Sequence, residues 1–277
     1  MPVAKAYPNG GSTYMVNGGG SHVRAKRDVI RGWSAHAARR HIRWLYSVNV
    51  DRLDGYGIAL TLTVRDCPPD GLTFTRLREA FIKRLRGHDA GLVRIHWVTE
   101  WQARGVPHLH SAVYFRRPLS VVERASLLSM WCEVASGYGA SFGGQHGAVI
   151  DGPVGWLKYL AKHAARGVRH YQRQTAPAGW ESTGRLWGHG GEWPAEEPLT
   201  FSMTDQAFYR YRRLLRAWRI AEARTSGDAR RIAYARRMLR GPADTARFRG
   251  VSEWIPQETT IRFMDLLVSE GYAIMSV

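Results

Sequence analysis

Cysteine is nearly absent from this sequence: Cys67 and Cys132 are the only two in 277 residues. Two cysteines cannot build a disulfide framework, and no Cys-x-x-Cys pair is available to open a thiolate zinc site. Each thiol reads as a small buried hydrophobe, and the chain as cytosolic. Long apolar runs are also missing. No stretch approaches the ~18 residues that a spanning helix needs, and the start lacks the positive-then-apolar pattern of a secretion signal. Acidic residues are scarce, with 23 Asp+Glu against 40 Lys+Arg and a net charge of +17. That imbalance points to a polyanionic partner, nucleic acid before a membrane surface. Eleven Trp and twelve Tyr add faces on which unpaired bases could stack, although most such rings belong to cores.

Residues 1–24 are rich in Gly, Ser and Asn and read as a flexible lead-in. From Arg27 to about Tyr46, helical spacing places Ile30, Trp33, Ala37, His41 and Trp44 on one face, with arginines on the other. "YGIALTLTV" (56–64) alternates like a strand and "CPPDG" ends it. A helix follows with Leu77, Phe81 and Leu85 on its apolar stripe. "LVRIHWVTEW" and "HLHSAVYFRR" read as strands joined by the short connection "ARGVP", hence a hairpin. Ser120 and Glu123 form a capping box for the next helix, whose buried stripe is Leu127, Leu128 and Trp131. "QHGAVID" is a short strand, and "GPVGWLKYLAKHAARG" a helix with Pro153 in its first turn. This order predicts an α+β domain over roughly 51–170, a sheet with helices packed on one face. The Trp- and Gly-rich stretch after Gly167 reads as mostly loop, and 204–240 as two basic helices. The chain thus suggests three consecutive stretches: 1–50, a domain at 51–175, and 176–277.

His108 and His110 sit at i and i+2 on a strand, so both imidazoles share one side while Leu109 faces the core. Each neutral ring offers a nitrogen lone pair, two-thirds of a metal site. If "ARGVP" turns a hairpin, Glu100 arrives beside them as a third ligand, leaving positions open for catalysis. The competing reading is a polar pair on the solvent side of a half-buried strand. "WLKYLAKH" places Tyr159, Lys162 and His163 on one helical face. A tyrosine beside a lysine and a metal suits attack on a phosphate, since a nearby ammonium and a polarised phosphate ease the task of a hydroxyl with a pKa of about 10.

Three segments in order, "ALTLT" (59–63), "GVPHLH" and "YLAK" (159–162), resemble the motifs of HUH endonucleases, specifically the single-tyrosine rolling-circle replication initiators (Rep proteins) of phages and plasmids. The resemblance covers roughly residues 56–170. It implies a five-stranded antiparallel sheet with flanking helices carrying the active site on its face, followed here by a helical C-terminal extension. It implies His108 and His110 as ligands of Mg²⁺ or Mn²⁺, with Glu100 as the third. Tyr159 is the implied nucleophile that forms a 5′-phosphotyrosine link and later permits rejoining, and Lys162 assists it. There is no second tyrosine in a Tyr-x-x-x-Tyr pattern, and no Gly-x-x-x-x-Gly-Lys loop of a fused helicase.

The expected partner is single-stranded or hairpin origin DNA, with host helicase and polymerase acting next, in the cytoplasm of a bacterial cell. His163, Arg166, Arg212, Arg213 and Arg216 are candidate DNA contacts. A relaxase or transposase of the same superfamily, or a binding protein without catalysis, are the alternatives.

Overall fold

The computed structural model describes residues 1–16, 29–153, 155–156, 159, 163, 170–225, 227–237 and 252–277. Lys162 and Arg166 lie outside them. Contacts divide the chain into two units that are discontinuous in sequence. One is Ala25–Leu45 with Val50–Pro194; the other is Met1–Arg24, Tyr46–Asn49 and Ala195–Val277.

Residues 1–16 correct the reading of a flexible lead-in over 1–24, of which 17–24 lie outside the described residues. β1 (Pro2–Tyr7) and β2 (Gly10–Met15) pair as an antiparallel hairpin with Val3, Ala4, Ala6 and Tyr7 buried. Small residues here serve close packing. A Cβ on Gly10 would stand 2.2 Å from the Tyr46 ring, so only glycine lets that aromatic lie flat on the hairpin.

In the Ala25–Pro194 portion, α1 (Ala35–Ser47) starts where Ser34 Oγ accepts from the Ala37 N–H at 3.0 Å. It therefore begins later than the periodicity suggested, and Ile30, expected on its apolar face, is exposed. β3 (Tyr56–Thr63), β4 (Leu92–Trp101), β5 (Pro107–Phe115), β6 (His146–Ile150) and β7 (Trp187–Gly191) form an antiparallel sheet ordered β6-β3-β5-β4-β7. β7 replaces what the sequence suggested was loop. Its Gly188 lies where a Cβ would come within 2.7 Å of the Trp97 ring, so the glycine lets the edge strand approach.

One face of this sheet is the core. α2 (Gly71–Arg86) is capped by Asp70, which accepts from the Thr73 N–H at 2.6 Å, and buries Phe74, Phe81, Ile82 and Leu85. α3 (Val121–Val134) has the expected capping box of Ser120 with Glu123 and buries Leu127, Leu128 and Trp131. These side chains cluster with Leu60, Leu62, Leu109 and Val113 of the sheet. Each such Leu contributes about 1.5–3 kcal/mol by leaving water. Cys67 is exposed and Cys132 partly buried, so neither is the core hydrophobe the sequence suggested.

The opposite face is also covered, and β5 is buried at every residue. Register places Glu100 opposite His108, Val98 opposite His110, and His96 opposite Ala112 on β4 and β5. Thr61 of β3 pairs with His110, and His189 of β7 with His96. One continuous face thus gathers Thr61, His96, Glu100, His108, His110 and His189. Over it lie His41 and Trp44 of α1 and a helical segment bearing Trp156, Tyr159 and His163.

The other unit holds a second antiparallel sheet, ordered β10-β8-β1-β2-β9, with β8 (Leu199–Met203), β9 (Ser252–Glu253) and β10 (Ile274–Ser276). α4 (Asp205–Thr225), α5 (Ala229–Arg237) and α6 (Gln257–Ser269) complete it. Its core joins Ala4, Met203, Phe208, Tyr211, Ile255, Met264 and Leu267. The C-terminal region is therefore α+β rather than a helical extension alone. No helix among the described residues is long and apolar enough to cross a membrane.

Candidate metal and nucleophile site

The β4–β5 hairpin brings Glu100, His108 and His110 together. One ligand atom from each lies within 4.8 Å of the others. His108 Nε2 and His110 Nε2 are 3.0 Å apart, and His110 Nε2 is 3.7 Å from Glu100 Oε2. All three side chains are buried, so the histidines are not a polar pair on a solvated face. Leu109 is fully buried in the opposite core, as the alternation requires. Two imidazoles and a carboxylate are a donor set compatible with a divalent cation that keeps positions open.

Two contacts orient these ligands. Thr61 Oγ1 is 3.1 Å from His110 Nδ1, so the hydroxyl occupies one ring nitrogen and turns Nε2 toward the cluster. Arg173, which sequence reasoning missed, donates from Nε to Glu100 Oε1 at 2.8 Å, with both side chains fully buried. The same guanidinium lies 4.1 Å from the centre of the Trp33 ring and donates to the His163 carbonyl at 3.3 Å. Glu100 thus keeps one oxygen on Arg173 and turns Oε2 toward His110.

Tyr159 approaches from the helical segment. With His110 and His163 it lines a cavity of about 420 Å³, to which His146, Val149 and Asp151 also contribute. The His163 ring stands 4.8 Å from both the Tyr159 and His110 rings. His163 Nδ1 is 3.9 Å from Glu100 Oε2. Tyr159 is stacked on Trp156 at 5.4 Å, and its hydroxyl lies 3.3 Å from His96 Nδ1.

Behind the tyrosine, His96 Nε2 is 2.9 Å from His41 Nε2. Burial, with help from His189, brings the His96 pKa down to about 3. Burial, then His96 and Arg173, hold His41 well below the ordinary imidazole range.

The structure therefore gathers Glu100, His108, His110, Tyr159 and His163 into one neighbourhood. Lys162 and Arg166 fall outside the described residues. Arg212, Arg213 and Arg216 lie on α4, in the other unit. His41, His96 and Arg173 carried no motif; His41 and His96 each interrupt an apolar stripe, whereas Arg173, between Gln172 and Gln174, gave no signal at all.

A family model described as replication-associated protein ORF2/G2P matches residues 57–190, a span that takes in both histidines, Glu100 and Tyr159. Similar chains include one named a replication protein in Xylella fastidiosa strain 9a5c, 46% identical over the full length of both. Another such protein, from strain Temecula1, is 46% identical over 92% of this chain and 99% of its own. The replication-associated protein G2P of Pseudomonas phage Pf3 is 42% identical over 93% of each chain. No solved structure matches. With identity this high across nearly the whole length, the chain belongs to the replication-associated protein ORF2/G2P family of phage and plasmid replication initiators.

Proposed function

We propose that this protein is a metal-dependent, site-specific nickase of single-stranded DNA that starts rolling-circle replication through a covalent link to Tyr159. The observation that carries the reading is one cavity lined by both Tyr159 and His110, with His108 and Glu100 completing the ligand cluster beside it.

Tyr159 Oη attacks the scissile phosphorus, the P–O3′ bond breaks, and the 3′ oxygen leaves and is protonated. The products are a 5′-phosphotyrosine and a free 3′-OH that a host polymerase can extend, with a host helicase opening the duplex. Reversal by a 3′-OH rejoins the strand, because the phosphotyrosine conserves the energy of the phosphodiester. Mg²⁺ or Mn²⁺ held by Glu100, His108 and His110 would polarise the phosphate and offset charge on its oxygens. Lys162, three positions after Tyr159, supplies an ammonium to the attacking oxygen. The substrate is a single strand or hairpin loop at the origin, bent into the cavity, in the cytoplasm of a bacterial host. Arg166, Arg212, Arg213 and Arg216 hold flanking phosphates.

The test uses single-stranded oligonucleotides tiled across the DNA around the gene, with Mn²⁺, and a denaturing gel. A protein–DNA adduct lost in Tyr159→Phe is expected. Binding without an adduct on any oligonucleotide would leave a non-catalytic binding protein. An adduct that persists in Tyr159→Phe would move the nucleophile elsewhere, first to Tyr171 or Tyr138.

A further inference from the structure

Three buried side chains from three separate elements form a line: His41 Nε2 to His96 Nε2 at 2.9 Å, then His96 Nδ1 to Tyr159 Oη at 3.3 Å. The line is walled by rings. Trp44 stacks on His96 at 4.8 Å, and Trp156 meets its edge at 6.3 Å. Nothing in the metal cluster requires this arrangement, and a buried histidine pair is costly unless its hydrogen bonds are made.

The far end of the line sets its proton order. Two neutral imidazoles share one proton between the facing Nε2 atoms. If His96 supplied it, His41 would carry its own proton on Nδ1. That atom is buried and has no hydrogen-bond partner among the described residues. A bare lone pair there costs less than an orphaned N–H. His41 is therefore the donor, and His96 must carry its proton on Nδ1, aimed at the tyrosine oxygen.

We propose that His96 is a further catalytic residue, donating from Nδ1 to Tyr159 Oη and stabilising the phenolate, with His41 as the positioning residue that fixes its tautomer. The inference rests on Tyr159 being the nucleophile. Tyr159 gives its phenolic proton to water in the cavity. Its oxygen then bonds to phosphorus as the P–O3′ bond breaks, and the 3′ oxygen takes a proton from water. In rejoining, the Tyr159 O–P bond breaks and the phenolate departs. The same N–H meets the negative oxygen in both directions, and because His96 is buried and walled by rings it is a fixed dipole that needs no reorganisation.

The donor must stay neutral, and its surroundings keep it so. The titratable groups facing it are His41, His189 and Tyr159, and its walls are the Trp44 and Trp156 rings. Arg173 acts on His41 and Arg185 on His189, each disfavouring a second positive charge. His96 is therefore a hydrogen-bond donor to the tyrosine rather than the base that takes its proton.

The experiment is a pH titration of the full chain labelled with [¹³Cζ]tyrosine, without metal or DNA, the Tyr159 resonance being the one lost in Tyr159→Phe. His96→Leu is expected to move its ionisation to higher pH, by about tenfold in the ionisation constant. His96→Asn, whose amide sits near the Nδ1 position, recovers most of that shift, whereas His96→Gln, which places its amide near Nε2, does not. His41→Leu shifts it in the same direction by less. The Asn and Gln variants keep the comparison available if His96→Leu does not fold. An unmoved Tyr159 ionisation in folded His96→Leu, or equal ionisation in Asn and Gln, overturns the role of His96. Adduct formation by Tyr159→Phe would instead overturn the nucleophile, so the two failures are distinguishable.

Discussion

Arg173 Nε and Glu100 Oε1 meet at 2.8 Å with neither side chain exposed. A buried pair of this kind tolerates the loss of one member poorly. Arg173→Met is expected to cost about 3–5 kcal/mol, because it strands a carboxylate in the interior. The same change leaves Glu100 more dependent on any cation that the histidines help to hold. Added Mn²⁺ should therefore raise the melting temperature of Arg173→Met more than that of the wild type. Equal shifts in differential scanning fluorimetry would separate the ion pair from the metal cluster.

Thr61 acts on the cluster without belonging to it. Its hydroxyl is 3.1 Å from His110 Nδ1, and Val has nearly the same shape without the oxygen. Thr61→Val should weaken Mn²⁺ binding by about 10–100-fold, as loss of an outer-sphere partner commonly does. Folding should change by less than about 1.5 kcal/mol. Titration calorimetry with Mn²⁺ measures the first and urea unfolding the second; unchanged Mn²⁺ affinity would remove Thr61 from the site.

What was legible in the sequence was local. The five residues of "ARGVP" permit only a tight reversal, so Glu100 had to fall near His108, and the register pairs them. Leu109 followed from alternation. His41 and His96 are 55 residues apart, and Glu100 and Arg173 are 73 apart. Such partners are chosen by tertiary packing and leave no period in the chain. The Gly-rich segments misled for a related reason. Gly10 and Gly188 look like flexible spacers, yet each makes room for a buried ring, Tyr46 and Trp97 respectively. Composition records the small residue but not the large neighbour that requires it.

Glu253 gives a pH signature in the unit formed by the chain termini. Burial raises its pKa from the ordinary 4.5 to about 7, against the pull of Arg219 3.5 Å away. Between these values the folded chain holds a proton that the unfolded chain has released. The associated stability is complete below pH 4.5 and is lost as pH rises through about 7. Glu253→Gln should therefore gain on the wild type, by on the order of 2–3 kcal/mol, between pH 5 and pH 8. His41 and His96 act with the opposite sign. Their lowered values favour the neutral folded form, so their contribution is full above the ordinary 6.5 and erodes as pH falls. Urea unfolding at both pH values checks the Glu253 effect, and an equal difference at each would exclude it.

α4 offers an internal control for DNA binding. Arg210 is already neutralised by a hydrogen-bonded ion pair with Glu270, whereas Arg213, one turn on, is exposed and feels Glu270 only through a weaker, longer-range attraction. If α4 carries the flanking strand, Arg213 releases a counterion on binding and Arg210 largely does not. Arg213→Ala should weaken single-stranded DNA binding uniformly across sequences. It should also flatten the slope of log affinity against log salt by about 0.7, the share of one phosphate contact. Arg210→Ala should leave that slope nearly unchanged. Part-buried Arg212, whose guanidinium lies 5.9 Å from the Phe208 ring centre, should show a smaller effect than Arg213. Fluorescence anisotropy across a salt series measures all three. The ordering carries the argument, because a helix that merely buttresses its own unit would give three equal slopes.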